Sequence, residues 1–320
     1  MKGLTDIAGL RVGHVSDYEA LTGCTVVLCE GGAVAGCDIR GSATGTEEFD
    51  ALGPLHLAER IHGVVFAGGS AFGLEAASGV RRFLEQRGIG LPTRAGRVPL
   101  VPAAILYDLG IGKASVRPTR EMGEAAAAAA TDDPVAEGAV GAGTGATAGK
   151  LFGMSQAMKT GIGSFSLELG GRHAGVRVAA LVAANPFGDI RDPDSGRLVA
   201  GARRAPDSLE LADTARLMFE GEAPPPGLPQ NTTLAVVATN ARLTKVEAAK
   251  LAQLASIGVA RALSPAWTTL DGDLVIALSV GQAEAELNTL GVAAAEVVAR
   301  AIVRAAEKAP SLGGLPGLAA

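Results

Sequence analysis

Apolar positions along the chain fall into short compact runs and longer stretches of helical period. CTVVLCE (24–30) and HGVVFAGG (62–69) are dense in Val and flanked by turn-forming residues, which predicts buried strands. SAFGLEAASGVRRFLEQRG (70–88) repeats its apolar positions every three to four residues and stops at Gly88, which predicts an amphipathic helix. VPLVPAAILYDLG (98–110) carries its prolines early and predicts an extended segment ending near Tyr107. The Ala-rich REMGEAAAAAATDDP (120–134) reads as a helix, and EGAVGAGTGATAGKLFG (137–153) as a flexible glycine-rich run. RHAGVRVAALVAANPFGDI (172–190) is a strand closed by Asn185 and Pro186, and GEAPPPGLPQ (221–230) has the composition of a linker.

Beyond Asn231 the pattern is cleaner. TLAVVATNA is a strand, LTKVEAAKLAQLASIGVARAL a helix opened by a Thr244 to Glu247 capping box, and DGDLVIALSVG a strand. A last helix spans about Leu287 to Lys308, and PSLGGLPGLAA reads as a frayed tail. Alternating strands and helices predict an α/β fold with helices layered on a sheet core.

Composition narrows the class. Of 320 residues 48% are hydrophobic but only 3% aromatic, and 44 are glycine, so layers pack through small side chains. A net charge of −5 with scattered Lys and Arg provides no footprint for nucleic acid or an anionic membrane. The start of the chain lacks a signal pattern, and no apolar run reaches the ~18 residues of a membrane helix, which predicts a cytoplasmic protein. Cys24, Cys29 and Cys37 are odd in number and read as buried free thiols. His14, His56, His62 and His173 lie far apart, so no metal site is predicted.

Three stretches bear on chemistry. GTGATAGK resembles a phosphate loop, but that pattern requires Gly where Thr144 stands and Ser or Thr where Leu151 stands. Lys150 nevertheless lies among glycines, where a substrate can approach the backbone. AGGSAFG places Ser70 between a strand and a helix as a nucleophile elbow would, but Phe72 occupies a glycine position of that motif. Read otherwise, Gly69, Ser70 and Phe72 form a glycine-rich helix start lining a substrate pocket, with N–H groups for a carbonyl or carboxylate. The third stretch, LPQNTTLAVVATNA, begins a core strand on an Asn-Thr bond. A threonine hydroxyl becomes a useful nucleophile if Thr232 is the first residue of a chain and its own α-amino group serves as base, which requires cleavage between Asn231 and Thr232.

Seven segments in register, LTDIAGLRVGH, AGGSAFGLEAASGV, AAILYDLG, GAGTGATAGK, VAANPFGDI, NTTLAVVATNARLTK and TTLDGDLVIALSVG, carry a resemblance over nearly the whole chain. The sequence resembles the DmpA family of N-terminal nucleophile hydrolases, the L-aminopeptidase D-esterase/amidase group, and within it the nylon-oligomer (6-aminohexanoate-oligomer) hydrolase branch. The resemblance implies one αββα sandwich, cut into an α chain 1–231 and a β chain 232–320, with Thr232 as nucleophile. It implies catalytic roles for Lys150, Asn185, Asp271 and Asp273, and a place for Tyr107 at the pocket. β-Peptidyl aminopeptidases of the family carry a Ser nucleophile, with Ser and Glu where Asp271 and Asp273 stand here, so Thr with an Asp pair points to the amide hydrolases.

By residue type, one Asp would hold the Thr232 ammonium or hydroxyl and the other Lys150. The Asn185 amide and the Tyr107 hydroxyl would serve a developing oxyanion. The implied substrate is a small linear amide, a peptide N-terminus or an oligoamide, with no cofactor. The family also implies a homotetramer of αβ units. From the residues alone two alternatives stand beside this reading: a Ser70 esterase of α/β-hydrolase type, and an uncut binding relative.

Overall fold

A computed structural model of the protein describes residues 2–224 and 231–320. Its frame is one nine-stranded mixed sheet. The strands are β1 (Arg11–Asp17), β2 (Thr22–Ile39), β3 (Thr46–Glu47), β4 (Arg60–Ala67), β5 (Ala103–Ile105), β6 (Ile162–Glu168), β7 (Arg177–Asn185), β8 (Thr232–Ala241) and β9 (Leu274–Ala283). They pair in the order β6-β7-β8-β9-β2-β4-β5-β3, with β1 also on β2; β8–β9 and β4–β5 are parallel and the other pairs antiparallel.

β2 turns this ribbon into two layers. Its first part, through Leu28, pairs with β1 and β4, and its last part, from Val34, pairs with β9. Between them the register against β4 shifts at CEGG, where Gly32 has φ 81°, and such an irregularity bends a strand. Leu234, Val236, Leu274 and Ile276 of one layer thus meet Val27, Val64, Phe66 and Ala104 of the other in an inter-sheet core.

Helices cover both outer faces. α1 (Ala76–Gln86) and α2 (Arg120–Ala128) pack on Val26, Val65 and Ala103, while α4 (Lys245–Ala262) and α5 (Leu287–Glu307) pack on Ala235, Val237 and Val275. A short helix, α3 (Thr214–Glu220), lies outside these layers. The order helix, sheet, sheet, helix is the αββα sandwich expected. Ala and Gly faces let α4 and α5 approach closely: a Cβ at Gly258 would come within 2.2 Å of the Ala295 carbonyl. The Thr244–Glu247 capping box is formed in full.

Several expectations are corrected. The glycine-rich run 137–153 is largely buried: Ser16 Oγ accepts the Gly141 N–H, Thr25 Oγ1 accepts that of Ala142, and side-chain anchors replace the regular ladder. The C-terminal tail is docked, with the Pro316 carbonyl accepting the Lys159 N–H and Leu315 buried against Leu21 and Ile111. The helix expected from Ser70 begins as a 3-10 turn and becomes α-helical at Ala76, because Gly69 and Ser70 turn the chain at φ 78° and 53°.

The stretch around Tyr107 forms a strand only over Ala103–Ile105, since Pro99 and Pro102 lack N–H donors for a ladder. Cys24 and Cys29 are buried free thiols, whereas Cys37 is partly exposed; burial pushes them up to about 12, 12 and 11. Of the expected linker 221–230, residues 225–230 lie outside the described residues. No helix among the described residues is long and apolar enough to cross a membrane.

Candidate active site

The site is built where β7, β8 and β9 come together. Strand alternation turns Thr232, like Leu234, toward the inter-sheet side, and turns Thr233, like Ala235, toward α4 and α5. Thr232 stands opposite Asn185 at the end of β7. On the other side Asn231 bridges in parallel to Asp271, just before β9.

At the Asn231–Thr232 bond the two side-by-side chains place donors on one carbonyl. The Asn231 carbonyl oxygen accepts the Gly272 N–H at 2.9 Å and the Thr232 hydroxyl at 2.5 Å. Gly272 is required here by space, because a Cβ on it would come within 2.6 Å of the Ala43 carbonyl oxygen and 2.8 Å of Thr232 Oγ1.

The aspartates are fixed from the same turn. Asp271 Oδ1 accepts the Phe187 N–H at 3.0 Å, and its Oδ2 accepts the Thr268 hydroxyl at 2.5 Å and the Thr268 N–H at 3.2 Å. Asp273 Oδ1 accepts the Thr233 N–H at 2.5 Å, while Oδ2 has no hydrogen-bond partner among the described residues. Burial pushes Asp273 up to about 8, and the negative charge of Asp271 adds to that.

Asn185 is the hub on the opposite side. Its Oδ1 accepts from Lys150 Nζ at 2.8 Å, from the Thr147 N–H at 3.1 Å and from the Thr147 hydroxyl at 3.3 Å, and its Nδ2 donates to the Tyr107 carbonyl at 3.0 Å. Lys150 Nζ further donates to the carbonyls of Thr147, Asn185 and Pro186 at 3.0 to 3.1 Å. Burial pushes Lys150 down to about 7 against the pull of Asp271 and Asp273, and a shell of four acceptor oxygens favours its ammonium form. A cavity of about 440 Å³ opens beside this cluster, lined by Lys150, Phe187, Met218, Pro224, Thr268 and Leu270 among others. Among the described residues no three of His, Cys, Asp and Glu group as a metal site would require.

Comparison with known proteins identifies the family and the fold. The family model of peptidase family S58 matches residues 2–319. The chain belongs to peptidase family S58. It is 38% identical to an uncharacterised aminopeptidase of Mycobacterium leprae, over 99% of this chain and 93% of the relative. It is 30% identical to a 6-aminohexanoate-oligomer endohydrolase of Kocuria sp., over 94% and 85%. The solved L-aminopeptidase D-Ala-esterase/amidase of Ochrobactrum anthropi, described as a variant of the Ntn hydrolase fold, superposes with TM-score 0.74 at 20% identity, covering 98% of this chain and 88% of that one. The fold is therefore the DmpA-type Ntn hydrolase fold, and the S58 chain is an amide-bond hydrolase.

Within this S58 fold, Thr232, Asn231, Asn185, Asp271 and Asp273 come together in one buried cluster, with half-buried Lys150 at its edge facing the cavity. Tyr107 reaches it through its backbone carbonyl, so the contact differs from the hydroxyl contact expected. Gly69 and Ser70 lie beside the Tyr107 segment, the Gly69 N–H donating to Asp108 Oδ1 at 2.6 Å and the Ser70 N–H to the Leu106 carbonyl. Phe72 is 56% exposed, stacked under the Arg117 guanidinium and outside the cavity beside Lys150. Sequence reasoning missed Thr147, Thr268, Gly272, Asp108 and Lys159. Thr268, three residues before Asp271, carried a usable local signal, since hydroxyls at that spacing bond carboxylates. The other four carried none, because long-range pairing brings them in.

Proposed function

We propose that this S58 hydrolase cuts itself between Asn231 and Thr232 and then uses Thr232 as an N-terminal nucleophile on linear amides. The reading rests above all on the Asn231 carbonyl, which takes a hydrogen bond from Gly272 while the Thr232 hydroxyl lies against it. In the first step Thr232 Oγ attacks that carbonyl carbon. The Gly272 N–H holds the developing oxyanion, the C–N bond breaks, and the hydroxyl proton ends on the Thr232 nitrogen. Water then hydrolyses the Asn231–Thr232 ester, giving an Asn231 carboxylate and a free Thr232 amine, and thus chains 1–231 and 232–320.

In turnover the Thr232 amine takes the hydroxyl proton as Oγ attacks the substrate carbonyl and passes it to the leaving amine; water releases the acyl group. In this reading Asp273, whose Oδ1 takes the neighbouring Thr233 N–H, offers its carboxylate to the new ammonium, and Lys150 offsets the two aspartates. The relatives' names support peptide N-termini or 6-aminohexanoate oligomers as substrates. We further propose that the enzyme works in the cytoplasm as a homotetramer of αβ units.

The test is to trap the acyl-enzyme. Reaction with an activated acyl ester followed by acid quench should leave the acyl mass on the fragment that begins with Thr232, and Thr232→Ala should not be labelled. Label on the fragment that contains Ser70 would refute the assignment.

A further inference from the structure

Behind the site lies a second lysine with no exposed surface. Lys159 Nζ donates to the carbonyls of Thr160 at 2.6 Å, Ala146 at 2.7 Å and Gly143 at 3.1 Å, so each ammonium proton has an acceptor. Two of those acceptors belong to the turn Gly143–Ala146. On its other side the turn rests on buried Asp108: a Cβ at Gly145 would come within 2.6 Å of Asp108 Cβ. Asp108 is itself pinned, Oδ2 accepting the Thr22 hydroxyl at 2.7 Å and Oδ1 the Gly69 N–H at 2.6 Å.

Both arms lead to Asn185. The turn continues directly into Thr147 and Lys150, which donate to Asn185 Oδ1, and Asp108 follows Tyr107, whose carbonyl accepts Asn185 Nδ2–H. A buried cation and a buried carboxylate are costly unless hydrogen bonds compensate them, and here the compensating bonds tie down the segments that carry Thr147, Lys150 and the Tyr107 carbonyl. We infer that Lys159 and Asp108 act as a positioning pair for amide hydrolysis, holding the Gly143–Ala146 turn and the Tyr107 carbonyl so that Asn185 and Lys150 keep their places. This inference rests on the function proposed above. Burial and the charge of Lys150 push Lys159 down to about 7, with Asp108 opposing. Repulsion between two ammonium groups is mutual, so a charge on Lys159 also disfavours one on Lys150, which Asp271 and Asp273 favour.

Lys159→Met and Asp108→Asn, in the full chain and assayed per cleaved molecule, test the pair. The expected result is at least a tenfold loss of kcat with KM within twofold of the original. In Lys159→Met the Lys150-dependent limb of the pH profile should move to higher pH, because a neighbouring positive charge is gone. Unchanged kcat in folded variants, or activity that falls only with the folded fraction, would overturn the inference. Failure of both variants to fold would assign the pair to stability and overturn it as well. Activity that survives Thr232→Ala would instead refute the underlying reading, and that variant is run in parallel.

Discussion

One carboxylate oxygen of Asp273 accepts the Thr233 N–H while the other has no hydrogen-bond partner among the described residues, in a fully buried setting beside Asp271. The folded chain therefore holds this acid protonated up to about pH 8, whereas the unfolded chain ionises it near 3.8. Its folded value is raised, so its contribution to stability is complete below the unfolded value and is lost as pH rises between the two. One such proton is worth about 1.4 kcal/mol per pH unit. In the uncut Thr232→Ala background, replacing Asp273 with Asn removes that loss. We expect the stability of the double variant relative to Thr232→Ala to grow by up to about 1.4 kcal/mol per unit from pH 5 to 8, read by denaturant unfolding. A pH-independent difference would show that Asp273 is already ionised in the fold. Asp271 and Asp273 became candidates through the family motif, since two acids flanking a glycine at a strand start read equally well as a solvated turn. Gly272 between them escaped sequence reasoning, because its use is a backbone N–H that only the pairing with Asn231 reveals.

At the scale of elements, periodicity located β4, β7, β8, β9, α4 and α5, whose apolar residues bury themselves on regular faces. It missed β6, where GIGSFSLE dilutes the apolar pattern with Gly and Ser, and the second half of β2 beyond CEGG. The glycine-rich run and the C-terminal tail read as mobile for the same reason: distant side chains and carbonyls supply their partners. The tail gives a direct check. Leu315 is buried with Leu21 and Ile111, so Leu315→Ala should cost about 2 to 5 kcal/mol of unfolding free energy, whereas a frayed tail would lose nothing. Denaturant midpoints at equal slope decide between these outcomes.

For the molecule as a whole, the two sheet layers bring one end of β7 and β8 to the turn before β9, and the cavity opens there beside Lys150. This geometry weakens the Ser70 alternative. Ser70 has the strained φ of a nucleophile elbow, but none of the hydrogen bonds made by His14, His56, His62 or His173 reaches it. His173 precedes β7, about 30 Å along that strand from its Asn185 end. Sequence motifs in register were enough to read the αββα architecture and the cluster around Thr232. The long-range supports at Lys159 and Asp108 required the folded chain.

The mass of the purified protein under denaturing conditions decides whether the Asn231–Thr232 bond is cut. The intact chain is 32.0 kDa. We expect fragments of about 23 and about 9 kDa, the proportions of 231 and 89 residues, with the smaller beginning Thr-Thr-Leu-Ala-Val. A single 32.0 kDa species that persists through long incubation while the protein hydrolyses amides would rule out self-cleavage as the source of the nucleophile.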